Sequence, residues 1–408
     1  MSTQVAEPRP APPSAPRDGE GWLTSARVGW AGVACGFLAL FITVPPALIR
    51  SPVPTVILGV AGLAAGAWAL RGGEKRLGWG AIVAAVAGVA LGIAATKSGE
   101  TNLRNVVAWS ALFAAMLRYA TPLLFAALGG VMSERSGVIN IGLEGMMLMG
   151  AFFGVWGADI TGSWVLGLLI GMASGMALAL IHAVFAITLR ADQIVSGFSM
   201  NLLALGITGY FYISHYGEQG TPDNIPRTPD VHLPGIENIP FFGDIFGQLN
   251  ILIWLGLLTV LLLWILLFRT ATGLRIRSVG ENPLAAETAG LSPARIRYRA
   301  VAASGALAAA GGAYLSIGFV GSFTENMTAG KGFIGLAVMI CGRWMPQGAL
   351  VFALLFGFFT ALATRLPTFS PSAATLFQAL PYVITLITVA GLVGRSIPPA
   401  ADGRPLDR

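Results

Sequence analysis

The sequence predicts an all-α integral membrane protein, a polytopic helical bundle of about ten to twelve transmembrane helices with inverted repeats. Hydrophobic residues make up 55% of the 408-residue chain and charged residues only 11%. The mean hydropathy is +0.73. A soluble domain carries about 25% charged residues, so this composition excludes a soluble globular class and indicates a chain that lies mostly in lipid.

The apolar runs define where the chain crosses the membrane, because a spanning helix needs roughly 20 apolar residues. The predicted spans are 28–49, 54–70, 78–96, 106–132, 137–158, 163–188, 194–213, 250–268, 300–320, 331–344, 346–364 and 374–393. An even number of crossings places both termini on the same side. Residues 1–27 are predicted to be a disordered cytoplasmic tail, and 396–408 a cytoplasmic C-terminal tail.

The distribution of charge supports this topology independently. Basic residues gather on one predicted side, and the largest group is the Arg-rich loop 269–299. The opposite side holds segment 214–249, where Arg227 faces five acidic residues: Glu218, Asp223, Asp230, Glu237 and Asp244. Four isolated basic residues depart from the rule: Arg50, Lys97, Arg104 and Arg365. Because Lys- and Arg-rich loops stay in the cytoplasm, both termini and the Arg-rich loop are predicted to be cytoplasmic.

The Arg-rich loop has the turn chemistry of a short helix followed by a second helix start. The run from Asn282 is Ala-rich, Gly290 is a stop signal, and Ser292-Pro293 is a start signal. A helix of this length is marginal alone in water, so we expect it to dock on a partner. The residues predicted to make that contact are Glu281, Asn282, Ala285, Ala286, Glu287 and Gly290.

An internal sequence repeat suggests a translocation path. Residues 140–147 read NIGLEGMM and residues 333–340 read FIGLAVMI, which share Ile-Gly-Leu-x-x-Met. In the predicted topology the two copies lie on spans that run in opposite directions. Inverted repeats with Gly-interrupted helices at corresponding places point to a path between the two halves.

Glu144 is the main candidate for a polar group on that path, with Asn140 one helical turn before it. An ionisable residue in a membrane span is costly and is a functional hypothesis by default. Two interpretations stay open at this point. The Glu144 carboxylate lines the path and accepts hydrogen bonds from substrate, or it is paired structurally with Arg135 or with nearby backbone.

A second irregular feature is Thr121-Pro122, since proline lacks the N–H donor and clashes with the preceding turn. The sequence predicts a helix break there, with 104–118 lying laterally on the outer surface, Pro122 to Met132 forming a half-helix, and 137–145 irregular. Aromatic and sulfur side chains that could stack on a substrate are Phe323, Phe333, Met339 and Trp344, although such residues are more often packing.

Several other motifs are discarded. The run 329–332, AGKG, lacks the leading glycine and the following Ser/Thr of a phosphate loop. His232 and Glu237 lack the further ligands that a metal site requires, and Cys35 and Cys341 lie far apart, which argues against a disulfide or zinc site. No cofactor and no nucleotide-binding motif is predicted, so any ATP is expected to be hydrolysed by a separate chain.

Three segments in order resemble the permease subunits of bacterial ABC importers for nucleosides and simple sugars, the broad family of ribose and branched-chain amino acid permeases. They contain SERSGVINIGLEGMM (133–147), GENPLAAETAGLSPARIRYR (280–299) and GKGFIGLAVMICGRW (330–344). The nucleoside branch is favoured, because the ribose branch usually has Asp-Leu-Ser where Asn140-Ile141-Gly142 stands here. The resemblance covers residues 104–395, and the helices of 28–103 are additional to the shorter relatives.

The resemblance implies a permease that is not itself an enzyme, in the bacterial inner membrane, with loop 269–299 as the coupling loop. It implies five partners, with no nucleic acid: ABC ATPase subunits, a second homologous permease, an extracytoplasmic substrate-binding protein, a small-molecule substrate and the lipid bilayer. The competing interpretation is a stand-alone ion-coupled transporter. That class usually shows several intramembrane carboxylates, whereas here only Glu144 and Asp159 qualify.

Overall fold

The computed structural model describes residues 24–43, 51–97, 109–239, 241–365 and 397–405, and these residues are mostly helical. Eight of the described helices are long and apolar enough to cross a membrane, and two further apolar helices are shorter. The predicted all-α polytopic class is therefore confirmed. The count of ten to twelve stays a prediction, since the predicted span 374–393 and most of the tail 1–27 lie outside the described residues. The chain divides into two compact units, Met1–Gly99 and Glu100–Arg408.

In the described part of the first unit, residues 24–43 and 51–97, three helices form a bundle in which each helix packs against the other two. Its elements are α1 (Ser25–Phe41), α2 (Pro52–Arg71) and α3 (Lys75–Lys97). Small residues allow close backbone approach, because a Cβ on Gly88 would lie only 2.1 Å from the carbonyl oxygen of Gly36. Such contacts are typical of helix packing in lipid. No hydrophobic driving force acts between helices there, and small residues allow the close van der Waals packing that holds the helices together.

The second unit is built around one long helix, α12, which packs against α4, α5 and α6. Its elements in chain order are α4 (Trp109–Glu134), α5 (Leu143–Thr161), α6 (Trp164–Ala183, continued by the π-helical Val184–Thr188), α7 (Gln193–Tyr216), β1 (Asp230–His232), α8 (Phe242–Phe246), β2 (Gln248–Asn250), α9 (Ile251–Arg269), α10 (Ala271–Glu281), α11 (Pro283–Thr288), α12 (Pro293–Ala313, continued by the π-helical Tyr314–Val320), α13 (Lys331–Cys341) and α14 (Pro346–Arg365).

Helix α12 touches its neighbours through backbone as well as side chains. A Cβ on Gly312 would lie 1.8 Å from the carbonyl oxygen of Met147 on α5, and one on Gly305 would lie 2.4 Å from the carbonyl oxygen of Gly175 on α6. No side chain fits at these points. The glycines therefore set the distance between the helices that carry the site.

Two ends of the second unit can be distinguished by their charge. Helix α9 joins the segment 217–250, which contains the antiparallel pair β1–β2, to the loop that contains α10 and α11. Its 19 residues span about 28 Å, close to the thickness of the hydrocarbon core. We call the side of α10 and α11 the Arg-rich end and the side of segment 217–250 the acidic end.

The predicted break at Pro122 is wrong, because α4 continues through it from Trp109 to Glu134. Proline removes one backbone donor from the helix. The preceding Thr121 hydroxyl donates to the Leu117 carbonyl oxygen at 2.8 Å, in addition to the ordinary ladder of the turn. Proline is tolerated in membrane helices where Ser or Thr side chains and neighbouring helices satisfy the freed groups. The helical residues 109–118 therefore belong to α4 and do not form a separate lateral segment.

Two predicted spans are shorter as helices than the sequence indicates. The span 137–158 begins as a helix only at Leu143, and 331–344 contains an α-helix of 11 residues, Lys331–Cys341. The irregular stretch predicted within 137–145 is confirmed for residues 137–142. Gly137 has φ +87°, a left-handed conformation that glycine adopts without strain, so the helix cannot simply extend from α4 into α5.

Candidate functional site

The site is formed where the irregular connection between α4 and α5 meets the start of α13. Asn140 lies in this connection and is fully buried. Its Oδ1 accepts the N–H of Gly142 at 3.1 Å, and its Nδ2 donates to the Ser304 Oγ at 3.0 Å. Asparagine side chains bond nearby backbone and so favour turns over helix interiors. Asn140 thereby ends the connection and attaches it to α12.

The contact with Ser304 locates the start of α5 along the bundle. Ser304 lies two turns along α12 from Arg297, about 10 Å, and Arg297 bonds to the Ser136 carbonyl oxygen. The connection therefore runs inward from the Arg-rich end by about this distance before α5 begins. The opposite end of α5 reaches the acidic end, where Asp159 accepts a hydrogen bond from Tyr216.

Three further polar side chains, which the sequence analysis did not single out, hold the connection from the side of α6 and α7. Asn201 accepts the N–H of Gly145 at 2.8 Å and donates to the Ile141 carbonyl oxygen at 3.0 Å. Gln193 accepts the N–H of Ile139 at 2.7 Å, and a ring nitrogen of His182 lies 3.0 Å from the Ile139 carbonyl oxygen. Buried backbone groups outside a helix need such partners, since an unpaired one costs about 1–3 kcal/mol.

Glu144 lies in the first turn of α5 and is 7% exposed. Its Oε1 accepts the N–H of Gly330 at 2.8 Å and its Oε2 accepts the N–H of Gly332 at 2.6 Å. These two donors belong to the start of α13, where orphan N–H groups and the helix dipole favour a negative charge. Of the two interpretations of Glu144, the structure shows its carboxylate paired with backbone donors 186 and 188 residues away in the chain.

Glycine is required at both positions that receive this carboxylate. Gly330 has φ +83°, and a Cβ on Gly332 would lie 2.5 Å from the Glu144 backbone. The next residue, Lys331, donates its Nζ to the carbonyl oxygens of Met327 at 3.4 Å and Thr328 at 3.2 Å. The Glu144 carboxylate therefore contacts the backbone at the start of α13 directly.

Helices α5 and α13 start beside each other and run toward opposite ends of the unit. Helix α13 ends at Cys341, and the carbonyl oxygens of Arg343 and Trp344 just beyond it accept hydrogen bonds from Arg135 at the Arg-rich end. The two copies of Ile-Gly-Leu-x-x-Met thus lie on helices of opposite direction. They are not equivalent in position, because Leu143 is the first residue of α5 whereas Leu336 lies inside α13.

The remaining predicted pathway residues lie in different environments. Phe323 is buried and packs edge to face on Phe152 and Tyr212, with ring centroids 5.2 and 5.3 Å apart. Met339 is buried, and its sulfur would lie 2.7 Å from a Cβ on Gly130. Phe333 is 41% exposed. The structure brings Asn140 and Glu144 together at the start of α13 and places the other three outside that hydrogen-bonded group.

Thr328 is a further polar group next to this helix start. Its hydroxyl is fully buried and has no hydrogen-bond partner among the residues that the structure describes. The cost of an unpaired buried hydroxyl is about 1–3 kcal/mol. In the sequence Thr328 stands out only as the last residue of the pattern Asn326-Met327-Thr328, which matches a glycosylation sequon and carries little weight, so the structure identifies its buried hydroxyl.

A second candidate surface lies at the Arg-rich end, where the predicted helix–turn–helix is confirmed. The Asn282 side chain caps α11 by accepting the N–H of Ala285 at 3.0 Å, and Pro283 occupies its first position. Gly290 has φ +82° and ends the segment, and α12 begins at Pro293. Local cap and turn residues therefore decide both boundaries.

Helix α11 presents some of the predicted contact residues to solvent and hides one. Ala285 and Glu287 are exposed, and so is Leu284, at 54%. Ala286, which the sequence analysis placed on the contact surface, is only 4% exposed and faces its own chain. Beside the helix lies a groove of 670 Å³ whose walls include Arg190, Glu281, Asn282, Leu284, Glu287 and Arg404.

One of the discarded motifs has another role than the one rejected from the sequence, because the run 329–332 supplies the two N–H groups that bind the Glu144 carboxylate. His232 and Glu237 form an exposed pair at 3.1 Å. Within the described ranges, no group of three or more His, Cys, Asp or Glu side chains is placed to hold a metal ion. The described residues form two candidate surfaces. In one, the Glu144 carboxylate joins the starts of α5 and α13, and in the other, the capped helix α11 lies beside a groove.

Comparison with known proteins gives concordant results. Residues 112–389 match the family model described as "Branched-chain amino acid transport system / permease component". The chain is 42% identical to the guanosine ABC transporter permease protein NupQ of Bacillus subtilis, over 72% of this chain and 96% of that protein. It is 41% identical to the nucleoside ABC transporter permease protein NupC of Lactococcus lactis, over 72% and 95%.

A third relative is the putative glucose ABC transporter permease protein TsgC13 of Haloferax volcanii, 37% identical over 68% of this chain and 85% of that protein. No solved structure matches the chain. None of these comparisons supports a stand-alone ion-coupled transporter. The chain belongs to the family of permease components of branched-chain amino acid-type transport systems, and it is a multi-pass membrane protein.

Proposed function

We propose that this chain is the permease subunit of an ATP-driven importer for nucleosides. The observation that carries the proposal is the identity of 41–42% with two permeases named for nucleosides and guanosine, each matched over 95–96% of its own length. The partners are an ABC ATPase that hydrolyses ATP on its own chain, a second homologous permease and an extracytoplasmic substrate-binding protein. The membrane is the bacterial inner membrane.

In this proposal the substrate passes the junction of α5 and α13. Charged residues within membrane spans are rare and mark substrate paths, and half-length helices that start at mid-depth are typical of such paths. The Glu144 carboxylate can accept hydrogen bonds from ribose hydroxyls, and the N–H groups of Gly330 and Gly332 can donate to a base carbonyl. During alternating access the Glu144 carboxylate gives up its hydrogen bonds to the N–H groups of Gly330 and Gly332, and it accepts hydrogen bonds from the substrate's hydroxyls instead. The unpaired Thr328 hydroxyl supports a second polar contact there.

The substrate class is tested by transport. The chain, its ATPase and its partner permease are reconstituted in proteoliposomes with the binding protein, and ATP-dependent uptake of labelled guanosine and glucose is measured. We expect uptake of guanosine and not of glucose, because the nucleoside relatives match more fully than the glucose relative. Uptake of glucose alone would reassign the substrate, and no uptake of either would refute the proposed function.

The orientation is a separate prediction. Because the Arg-rich loop is proposed to be cytoplasmic, single cysteines at the exposed positions Asp230 and Arg275 should be labelled from opposite faces of the membrane. The two native cysteines, Cys35 and Cys341, are first replaced by serine to give a blank background. In intact cells an impermeant maleimide should label Asp230→Cys, and Arg275→Cys only after permeabilisation. Labelling of both from one face would overturn the topology.

A further inference from the structure

Arg297 is the largest fully buried side chain of the protein's described residues, and it joins three parts of the chain. From α12 its Nε donates to the Ser136 carbonyl oxygen at 3.2 Å, in the connection before α5. Its two terminal nitrogens donate to the carbonyl oxygens of Arg404 at 3.0 Å and Ala401 at 3.5 Å. A buried guanidinium requires such acceptors, and its planar fork can reach several at once.

The residues 397–405, which we call the C-terminal segment, also bind the loop that carries α11. The N–H of Ala401 donates to the Gly280 carbonyl oxygen at 2.9 Å. The N–H of Ala400 donates to the Glu281 carboxylate at 3.2 Å. Gly280 and Glu281 are the last residues of α10, directly before α11. The C-terminal segment thus joins α12 to the base of the predicted docking helix.

The same loop touches the connection between α4 and α5 directly. A Cβ on Gly280 would lie 2.2 Å from the Arg135 carbonyl oxygen, and one on Gly137 would lie 2.8 Å from an Arg297 nitrogen and 3.2 Å from the Ala401 carbonyl oxygen. Neither glycine leaves room for a side chain. Movement at the end of α10 therefore cannot be absorbed by side-chain rearrangement at this contact.

The charges around the C-terminal segment suit a packed contact. Asp402 faces Glu134 and Arg297, and burial raises the pKa of the Asp402 carboxyl to about 7. A carboxyl that is partly protonated near neutral pH avoids much of the cost of burying a charge. The Glu134 carboxylate in turn accepts the indole N–H of Trp344, just beyond α13. The segment thus contacts α4 at its Arg-rich end, and Glu134 in turn joins α4 to the residue Trp344 beyond α13.

We propose that Arg297 and the C-terminal segment 397–405 position the connection before α5, and transmit movement of the ATPase-docking loop to Asn140 and Glu144. The connection is short, since Asn140 lies four residues after Ser136, and α12 holds it at both ends: Arg297 bonds to the Ser136 carbonyl oxygen and the Asn140 side chain donates to the Ser304 hydroxyl. A displacement at Gly280 is therefore passed along the chain to the start of α5. This inference rests on the proposed function, because it assumes that a partner ATPase moves the loop.

The test uses the reconstituted complex and three variants. In the first, residues 397–405 are replaced by a Gly/Ser stretch of equal length. In the second, Arg297→Lys keeps the charge but removes the fork that reaches three carbonyl groups. The control is Arg299→Lys, two residues along α12, where the arginine is exposed. Complex yield, ATP hydrolysis and guanosine uptake are measured for each.

We expect the first two variants to assemble and to hydrolyse ATP, because α11 and its cap are intact. Their uptake per ATP hydrolysed should fall about tenfold, the scale of coupling changes caused by residues that contact no ligand. Arg299→Lys should match the wild type. The inference is overturned if both variants couple normally, or if they fail to assemble, which would show a role in folding alone. Absence of uptake by the wild type would instead reject the proposed function.

Discussion

We expect Glu144→Gln to lower ATP-driven uptake about tenfold to a hundredfold while the complex still assembles. The carboxylate accepts the N–H groups of Gly330 and Gly332 at the start of α13. Glutamine has the same shape but only one oxygen, so one of these donors would face an NH₂ group. A hydrogen bond to a charged group contributes about 1.5–3 kcal/mol, which corresponds to this range of rates.

Uptake per assembled complex, together with the yield on size exclusion, separates the two roles of this residue. The matched control is Glu325→Gln, an exposed acid five residues before Gly330, which should leave uptake unchanged. If Glu144→Gln lowers only the yield and each assembled complex transports normally, the carboxylate is a structural cap and not part of the path. Normal uptake with normal yield would contradict both roles.

The second large effect is expected at the exposed face of α11, where Leu284→Asp should abolish the stimulation of ATP hydrolysis by loaded binding protein. Leu284 is 54% exposed on a capped helix of six residues, at the edge of the groove. A helix this short is marginal alone in water, and we propose that Leu284 on its exposed face contacts the partner ATPase. Placing a carboxylate in that contact should weaken docking by about 2 kcal/mol or more, roughly thirtyfold.

Leu274→Asp is the matched control, because Leu274 is equally apolar, 60% exposed and lies on α10 of the same loop. It should keep normal stimulation if α11 is the docking element. Basal hydrolysis should persist in the Leu284 variant, since the ATPase itself is unchanged. Equal stimulation in both variants would mean that α11 does not carry the docking contact. Ala286→Arg is unsuited to this test because Ala286 is buried in its own chain.

The boundaries of α11 and α12 show what local sequence rules can predict. Asn282, Pro283, Gly290 and Ser292-Pro293 are cap and turn residues whose preferences depend on neighbouring backbone, and the structure confirms each boundary. The same rules mispredicted Pro122. There the packing of α4 against α12 and α14 outweighs the local cost of the proline. A local rule fails where tertiary contacts supply what the local backbone lacks.

The polar partners of the site show what such rules cannot supply. The sequence marks Asn140 and Glu144 as unusual in an apolar run, but Asn201 and Thr328 carry no comparable signal. The Arg-rich loop 269–299 contains six arginines, which the charge distribution uses only to predict orientation, and the structure buries one of them, Arg297, completely. Charge counting treats every arginine of a loop alike, because it includes no information about which carbonyl groups lie nearby.

Membrane class, the approximate spans and the boundaries of α11 are thus determined by the sequence itself, because hydrophobic length, charge asymmetry and cap chemistry are properties of consecutive residues. The tertiary structure alone decides that the Glu144 carboxylate meets two N–H groups of α13, and that Arg297 holds the C-terminal segment. These contacts join residues more than 100 positions apart. They depend on close approach at the glycines Gly332 and Gly137, where a single Cβ would lie 2.5 Å from the Glu144 backbone and 2.8 Å from an Arg297 nitrogen and would push the partners out of hydrogen-bonding distance.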